Sequence, residues 1–144
     1  MHLLDTNVIS ELRPGKRVQS AEVRAWAAAE AFDTLYLSTV TVLELRVGME
    51  RKARVDAAHG ATLKAWIDAL EQQFDGRILP FTLRGARACA PLHVPDPRSW
   101  RDSMIAATAM EHGFSLVTRN TSDFDGINVP LINPWLEGAA GPRG

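Results

Sequence analysis

The sequence predicts an α/β fold, with a parallel central sheet of about five strands flanked by helices on both faces. Short apolar runs alternate along the chain with longer stretches of helical spacing, the order expected when helices cross between parallel strands. The chain has 144 residues, 46% hydrophobic and 23% charged, the balance of an ordinary globular protein rather than a disordered or fibrous one. That length suits one domain, which buries roughly two-thirds of the surface of its unfolded chain. No repeat or low-complexity tract divides it.

His2-Leu3-Leu4 reads as the first strand and ends on Asp5. A short helical pattern follows through Leu12 and stops at Pro14. Ser20 can cap a helix carrying Val23, Trp26 and Ala27. Leu35-Tyr36-Leu37-Ser38 is the second strand, and a helix runs from about Thr41 into the Lys52 region. In the next helix Leu63, Trp66, Ile67, Leu70 and Phe74 share one face, a spacing that marks core. Asp75-Gly76 then turns the chain into Arg77-Ile78-Leu79-Pro80-Phe81, the third strand. The stretch from Pro91 to Pro97 holds three prolines, which remove donors and fix φ, so it is a loop. Ser99 caps a further helix that ends at Gly113, with Asp102 at its third position as in a capping box. Ser115-Leu116-Val117-Thr118 and Val129-Pro130-Leu131-Ile132 are the last strands. Pro80 and Pro130 belong at sheet edges. Residues 1–136 form the domain, and the Gly- and Ala-rich tail from Glu137 to Gly144 is expected to fray.

Several function classes drop out at this stage. Sixteen Lys and Arg against 17 Asp and Glu leave a net charge of -1, so nucleic-acid binding cannot be argued from bulk basicity. No apolar stretch approaches the ~20 residues of a membrane span. Met1-His2-Leu3-Leu4-Asp5 lacks the basic start of a signal peptide, so the cytosol is the expected compartment. The lone Cys89 excludes an internal disulfide and a Cys-rich zinc site. In Ala88-Cys89-Ala90 it reads as a small buried residue in a reducing compartment. No glycine-rich phosphate loop or GxSxG elbow is present.

The acids carry the chemistry. In an open parallel sheet, ligands bind beyond the C-terminal ends of the strands, and Asp5 stands at such an end. It can cap the helix that follows or serve as a ligand, and Thr6 and Asn7 can cap as well. Glu44 lies among apolar neighbours in Val42-Leu43-Glu44-Leu45. Val40, Leu43 and Val47 share its side of the helix, so it should point inward or along a cleft. Asp102 opens the Asp102–Met110 stretch, which is apolar nearly all round and therefore buried. After the fourth strand come Asn120 and Asp123, and Asp123 reads equally as a turn residue and as a ligand. Two carboxylates ~4 Å apart repel by about 4 kcal/mol at an effective dielectric of 20. A cluster of them is either partly protonated or holds a cation. Oxygen ligands without His or Cys select magnesium or manganese. The chemistry this suggests is phosphoryl transfer: metal-activated water attacks a phosphodiester in line.

Leu3-Leu4-Asp5-Thr6-Asn7-Val8-Ile9-Ser10-Glu11-Leu12 and Leu37-Ser38-Thr39-Val40-Thr41-Val42-Leu43-Glu44-Leu45-Arg46-Val47-Gly48 closely resemble the opening of PIN-domain ribonucleases. Arg77–Phe81, Asp102–Ala109, Thr118-Arg119-Asn120 with Asp123-Phe124, and the Asn133-Pro134-Trp135 ending resemble the later blocks. Within that family the chain is similar to VapC toxins of the FitB-like branch. The resemblance implies a PIN-like fold and a metal-dependent endoribonuclease that cleaves structured RNA and inhibits translation. It implies Asp5, Glu44, Asp102 and Asp123 as catalytic residues, with Mg2+ (or Mn2+) on Asp5 and Asp102. Thr6 would orient the Asp5 carboxylate, and Asn120 is the alternative fourth ligand. It also implies a VapB-like antitoxin whose C-terminal segment blocks the acidic cleft, together with homodimers and toxin–antitoxin hetero-oligomers. Two rivals stand beside this reading. A magnesium-dependent phosphatase of another α/β family would need a second Asp where Asn7 stands. A catalytically inactive PIN-like binding module would tolerate loss of the acids that this chain retains.

Overall fold

The computed structural model describes residues 1–138. Its strands are β1 (His2–Leu4), β2 (Leu35–Ser38), β3 (Ile78–Leu79), β4 (Ser115–Val117) and β5 (Leu131–Ile132). They form one five-stranded sheet in the order β3-β2-β1-β4-β5, parallel throughout. The oldest part of the chain in sequence order is thus its centre, since β1 is paired on both edges. Leu3 and Leu4 are fully buried on opposite faces, as the two-residue strand repeat requires.

Helices cover both faces. On one lie α1 (Thr6–Glu11), α2 (Ala21–Ala29), α3 (Thr39–Val55) and α4 (Ala57–Gln73), whose Val8, Trp26, Met49 and Ile67 pack with Leu4, Leu37 and Phe74. On the other, α6 (Trp100–His112) sets Ile105, Ala106 and Ala109 against Leu3, Leu116 and Phe124. The small alanines let α6 lie close to the sheet. α6 begins at Ser99, whose hydroxyl accepts from the Asp102 N–H at 3.3 Å. It ends at Gly113, where φ of 68° is a left-handed stop that glycine adopts without strain.

Two proline positions resolve simply. β3 stops at Leu79 and β5 starts at Leu131, so Pro80 and Pro130 flank the strands instead of interrupting them. A helix absent from the sequence reading, α5 (Leu83–Cys89), follows Thr82, whose hydroxyl accepts from the Gly85 N–H at 3.1 Å. Its seven residues carry two arginines and no repeating apolar face. The proline-rich stretch begins with a 3-10 turn at Ala90–His93 before it opens into a loop. Residues 139–144, most of the tail expected to fray, lie outside the described residues.

The sharpest packing constraint is the joint between α3 and α4. Asp56 ends one helix and caps the next, its N–H donating to the Lys52 carbonyl and its carboxylate accepting from the His59 N–H. The helices therefore cross almost at the joint. A Cβ on Gly60 would stand 2.4 Å from Cβ of Ala53 and 2.5 Å from its Cα, whereas one on Gly48 meets nothing within 4 Å. Gly60→Ala should destabilise by about 1–3 kcal/mol through overpacking, and Gly48→Ala should stabilise by about 0.5–1 kcal/mol through helix propensity. Urea unfolding of the two variants checks the opposite signs.

Candidate active site

Asp5 is the fixed point. Its N–H donates to the Val117 carbonyl at 2.9 Å, which continues the sheet ladder one step past β1. Its side chain is 1% exposed. One carboxylate oxygen accepts from the Thr6 N–H at 2.7 Å. The other accepts from the Thr118 hydroxyl at 2.8 Å and the Asn7 amide at 3.3 Å. Asp5 is thus the N-cap of α1, although Thr6 and Asn7 also have capping side chains. The Thr6 hydroxyl turns instead to Thr41 at 3.3 Å and ties α1 to α3. Thr6 steadies Asp5 through its backbone and not its side chain.

Glu44 and Asp102 arrive from two further elements, and an arginine joins all three acids. Arg101 Nη1 lies 3.1 Å from Asp5 and 3.2 Å from Asp102, and its Nε lies 2.5 Å from Glu44. Glu44 is half-buried at the sixth position of α3, and its neighbours Leu43 and Val47 are exposed. Its side of α3 therefore lines a cleft and is not buried in the core. Asp123 lies on an exposed 3-10 turn (Thr121–Phe124) after β4 and is close enough to act electrostatically on Asp102. Asn120 precedes that turn, with its N–H donating to the Thr118 hydroxyl at 3.1 Å.

Arg101 and Thr118 were not singled out by sequence reasoning. Arg101 occupies the second position of a helix, where a basic side chain reads as surface. Thr118 stands at a strand's end, where threonine is common. The available signal was positional: Thr118 immediately follows the strand beside β1, and so shares the sheet end that Asp5 occupies.

The electrostatics are unbalanced. Burial, foremost, pushes the Asp102 carboxyl up from its ordinary range; the Arg101 guanidinium opposes this, while the charges of Asp5, Asp123 and Glu44 add to it. One guanidinium shared by three carboxylates does not cancel them. A donor set made only of oxygens, with an uncompensated negative charge, fits a hard divalent cation. Among the described residues, no three acid, His or Cys side chains are already arranged to enclose an ion. The carboxylates are disposed around Arg101.

A groove of about 620 Å³ opens from Glu44 between α1, α3 and α4. Its floor includes Leu45, Met49 and Ile67, and Arg13, Lys16, Arg51 and Lys52 line it. Lys16 is paired with Glu11 at 2.7 Å.

The sequence pattern of the PIN domain matches residues 2–128. The chain belongs to the PIN-domain family. It is 41% identical to the VapC ribonuclease Y4jK of Sinorhizobium fredii, over 94% of this chain and 98% of that protein. The FitAcB crystal structure from Neisseria gonorrhoeae superposes with a TM-score of 0.82 at 35% identity, covering 94% of this chain and 99% of that one. A toxin–antitoxin complex from Klebsiella pneumoniae gives 0.66 at 28% identity, covering 93% and 98%. These likenesses place the chain in the VapC/FitB group of PIN domains, and the sheet order and flanking helices described above are the PIN-like fold.

The PIN domain's raised Asp102 carries a pH signature. An acid whose pKa is higher folded than unfolded binds its proton more readily in the native state, so stability falls as pH rises through that interval. Asp102→Asn removes the charge and should raise the melting temperature of the metal-depleted protein at neutral pH and above. The difference from wild type should shrink as pH falls into the carboxylate range. A pH series of thermal melts in EDTA measures it.

Proposed function

We propose that this PIN domain is a divalent-metal-dependent endoribonuclease, Mg2+ being the expected ion and Mn2+ an alternative, and that it is the toxin of a toxin–antitoxin pair. The observation that carries the reading is the convergence of Asp5, Glu44 and Asp102, from three separate elements, on a single cation at the C-terminal end of the sheet. The relatives' names supply the substrate class: a VapC ribonuclease shares 41% of its residues with this chain across nearly the full length of both.

Asp5 and Asp102 are the residues that would hold the ion, with Asp123 at the outer edge of the cluster and Asn120 beside it. When bound, such an ion supplies Lewis-acid chemistry, lowering the pKa of water and neutralising charge on the phosphodiester. Asp5 contributes rigidity, because backbone, amide and hydroxyl donors leave its carboxylate one orientation. Glu44 is the most accessible of the three, standing at the mouth of the groove, and is placed to take the proton of the attacking water. Arg13, Arg51 and Lys52 offer the RNA backbone a positive wall that leads to this point. Structured RNA is the expected target and arrest of translation the expected consequence.

The same groove fits the partner. Its apolar floor and charged rim suit an amphipathic segment of an antitoxin, which would cover Glu44 and exclude RNA together. The toxin–antitoxin complex among the related structures supports a hetero-oligomer with an antitoxin. Among the described residues no helix is long and apolar enough to cross a membrane, and RNA as substrate favours a cytoplasmic setting.

Purified protein free of antitoxin should cut total cellular RNA into discrete fragments with Mg2+, and not with EDTA or after Asp5→Asn. Intact RNA from a folded, Mg2+-binding protein would overturn the nuclease reading. Thr118→Val, which removes one donor to Asp5, should cost about 10–100-fold in metal affinity or rate, as losses of groups that orient metal ligands do. Single-turnover cleavage across a Mg2+ titration separates the two. Arg51→Gln with Lys52→Gln should leave the single-turnover rate at saturating RNA unchanged and lower the slope of log affinity against log salt. About 0.7–0.9 is expected per lost phosphate contact, the lower value where the strand is unpaired.

A further inference from the structure

Among the described residues, Arg101 is the one cationic side chain that touches all three acids, and it comes from the chain itself. Its Nη1 stands 3.1 Å from Asp5 Oδ1 and 3.2 Å from Asp102 Oδ1. A cation held by Asp5 and Asp102 would compete with Nη1 for these same oxygens, so the guanidinium and the ion would not share the site. The guanidinium is also free to leave. It is one-third exposed, it sits at the second position of α6, and Glu44, its third partner, is equally open to water. Asp5, by contrast, cannot follow it, because Thr6, Asn7 and Thr118 hold that carboxylate in place.

We propose that Arg101 is an internal counter-ion, a positioning residue that gathers the three carboxylates and is exchanged for the divalent cation when the site loads. The proposal rests on the metal-dependent reading above. In the metal-free protein, the guanidinium offsets part of the repulsion between Asp5, Glu44 and Asp102 and keeps their oxygens facing one point. Loading swaps one positive charge for two. The price of this arrangement is affinity, because every ion bound must first displace the arginine's charge-assisted hydrogen bonds.

The exchange is tested by isothermal titration of Mn2+ and Mg2+ into wild type, Arg101→Gln and Arg101→Lys, with thermal melts in EDTA to confirm folding. Arg101→Gln should bind the ion about tenfold tighter or more, the equivalent of losing one hydrogen bond to a charged group. It should also melt lower than wild type in EDTA and recover more on adding metal. Arg101→Lys, which keeps the charge and loses the fork, should fall between the two. A second measurement needs no variant. In wild-type protein the Arg101 Nε–H signal in 15N NMR should be protected from exchange without metal, through Glu44, and should move to the free-arginine position as Mg2+ saturates. Equal or weaker binding by Arg101→Gln, or an Arg101 signal unchanged at saturating Mg2+, overturns the exchange and leaves the metal site standing. Absence of binding in all three proteins overturns the metal reading, and the exchange with it.

Discussion

Asp5 is held by four donors at the end of the central strand and cannot retreat from its acidic neighbours. Its negative charge, with those of Glu44 and Asp102, must be accommodated where the fold sets it. Much of the surrounding architecture follows from that constraint. β1 is paired on both edges, which gives Asp5 a rigid base. Asp102 enters in the first turn of α6, where the helix dipole favours a carboxylate. Glu44 enters from α3 at a depth that still admits water. The remaining repulsion is shared out to Arg101; burial, foremost, holds the Asp102 carboxyl above its ordinary range, and the neighbouring negative charges add to it against that partner.

The α3–α4 hairpin connects stability to recognition. Its crossing is set by Asp56 and Gly60, far from the acids, and Arg46 of α3 secures it by pairing with Asp68 and Glu71 of α4. The groove beside Glu44 is the space this crossing leaves open between the two helices and α1. A shift in the crossing angle would therefore reach the groove's apolar floor before it reached Asp5, which is anchored to the sheet. Packing at the hairpin controls the shape that a partner or substrate meets, while the sheet controls the position of the chemistry.

Legibility followed the same division. The strands were readable because each is a short apolar run bounded by turn residues, and helices on both faces of the sheet leave no polar alternation to confuse the pattern. Asp5, Glu44 and Asp102 stood out because acids are costly among apolar neighbours and need a reason to be there. α5 was not visible, because seven residues with two arginines present no periodic face. The Leu43 and Val47 side of α3 was expected to turn Glu44 inward or along a cleft, and the exposure of these side chains leaves the cleft. An apolar helix stripe in sequence cannot distinguish a core from the wall of a groove. Thr118 and Arg101 share a different difficulty. Each is an ordinary residue for its local element, and its role exists only through contacts across the chain, 113 residues away for Thr118 and 96 for Arg101.

A site that takes up the proposed ion has two electrostatic states. With the ion the cluster would be compensated; without it, three carboxylates would strain the junction of β1, α3 and α6 that makes the domain. A fold can lessen that strain by separating the acids, which loses the geometry needed for binding, or by lending them a cation of its own. Arg101 follows the second course: one residue before Asp102 on the same helix, it travels with the acid it neutralises. Its partial exposure then matters as much as its charge. A buried arginine would make the compensated state permanent, whereas one at the surface can give way to a doubly charged ion and return when that ion departs.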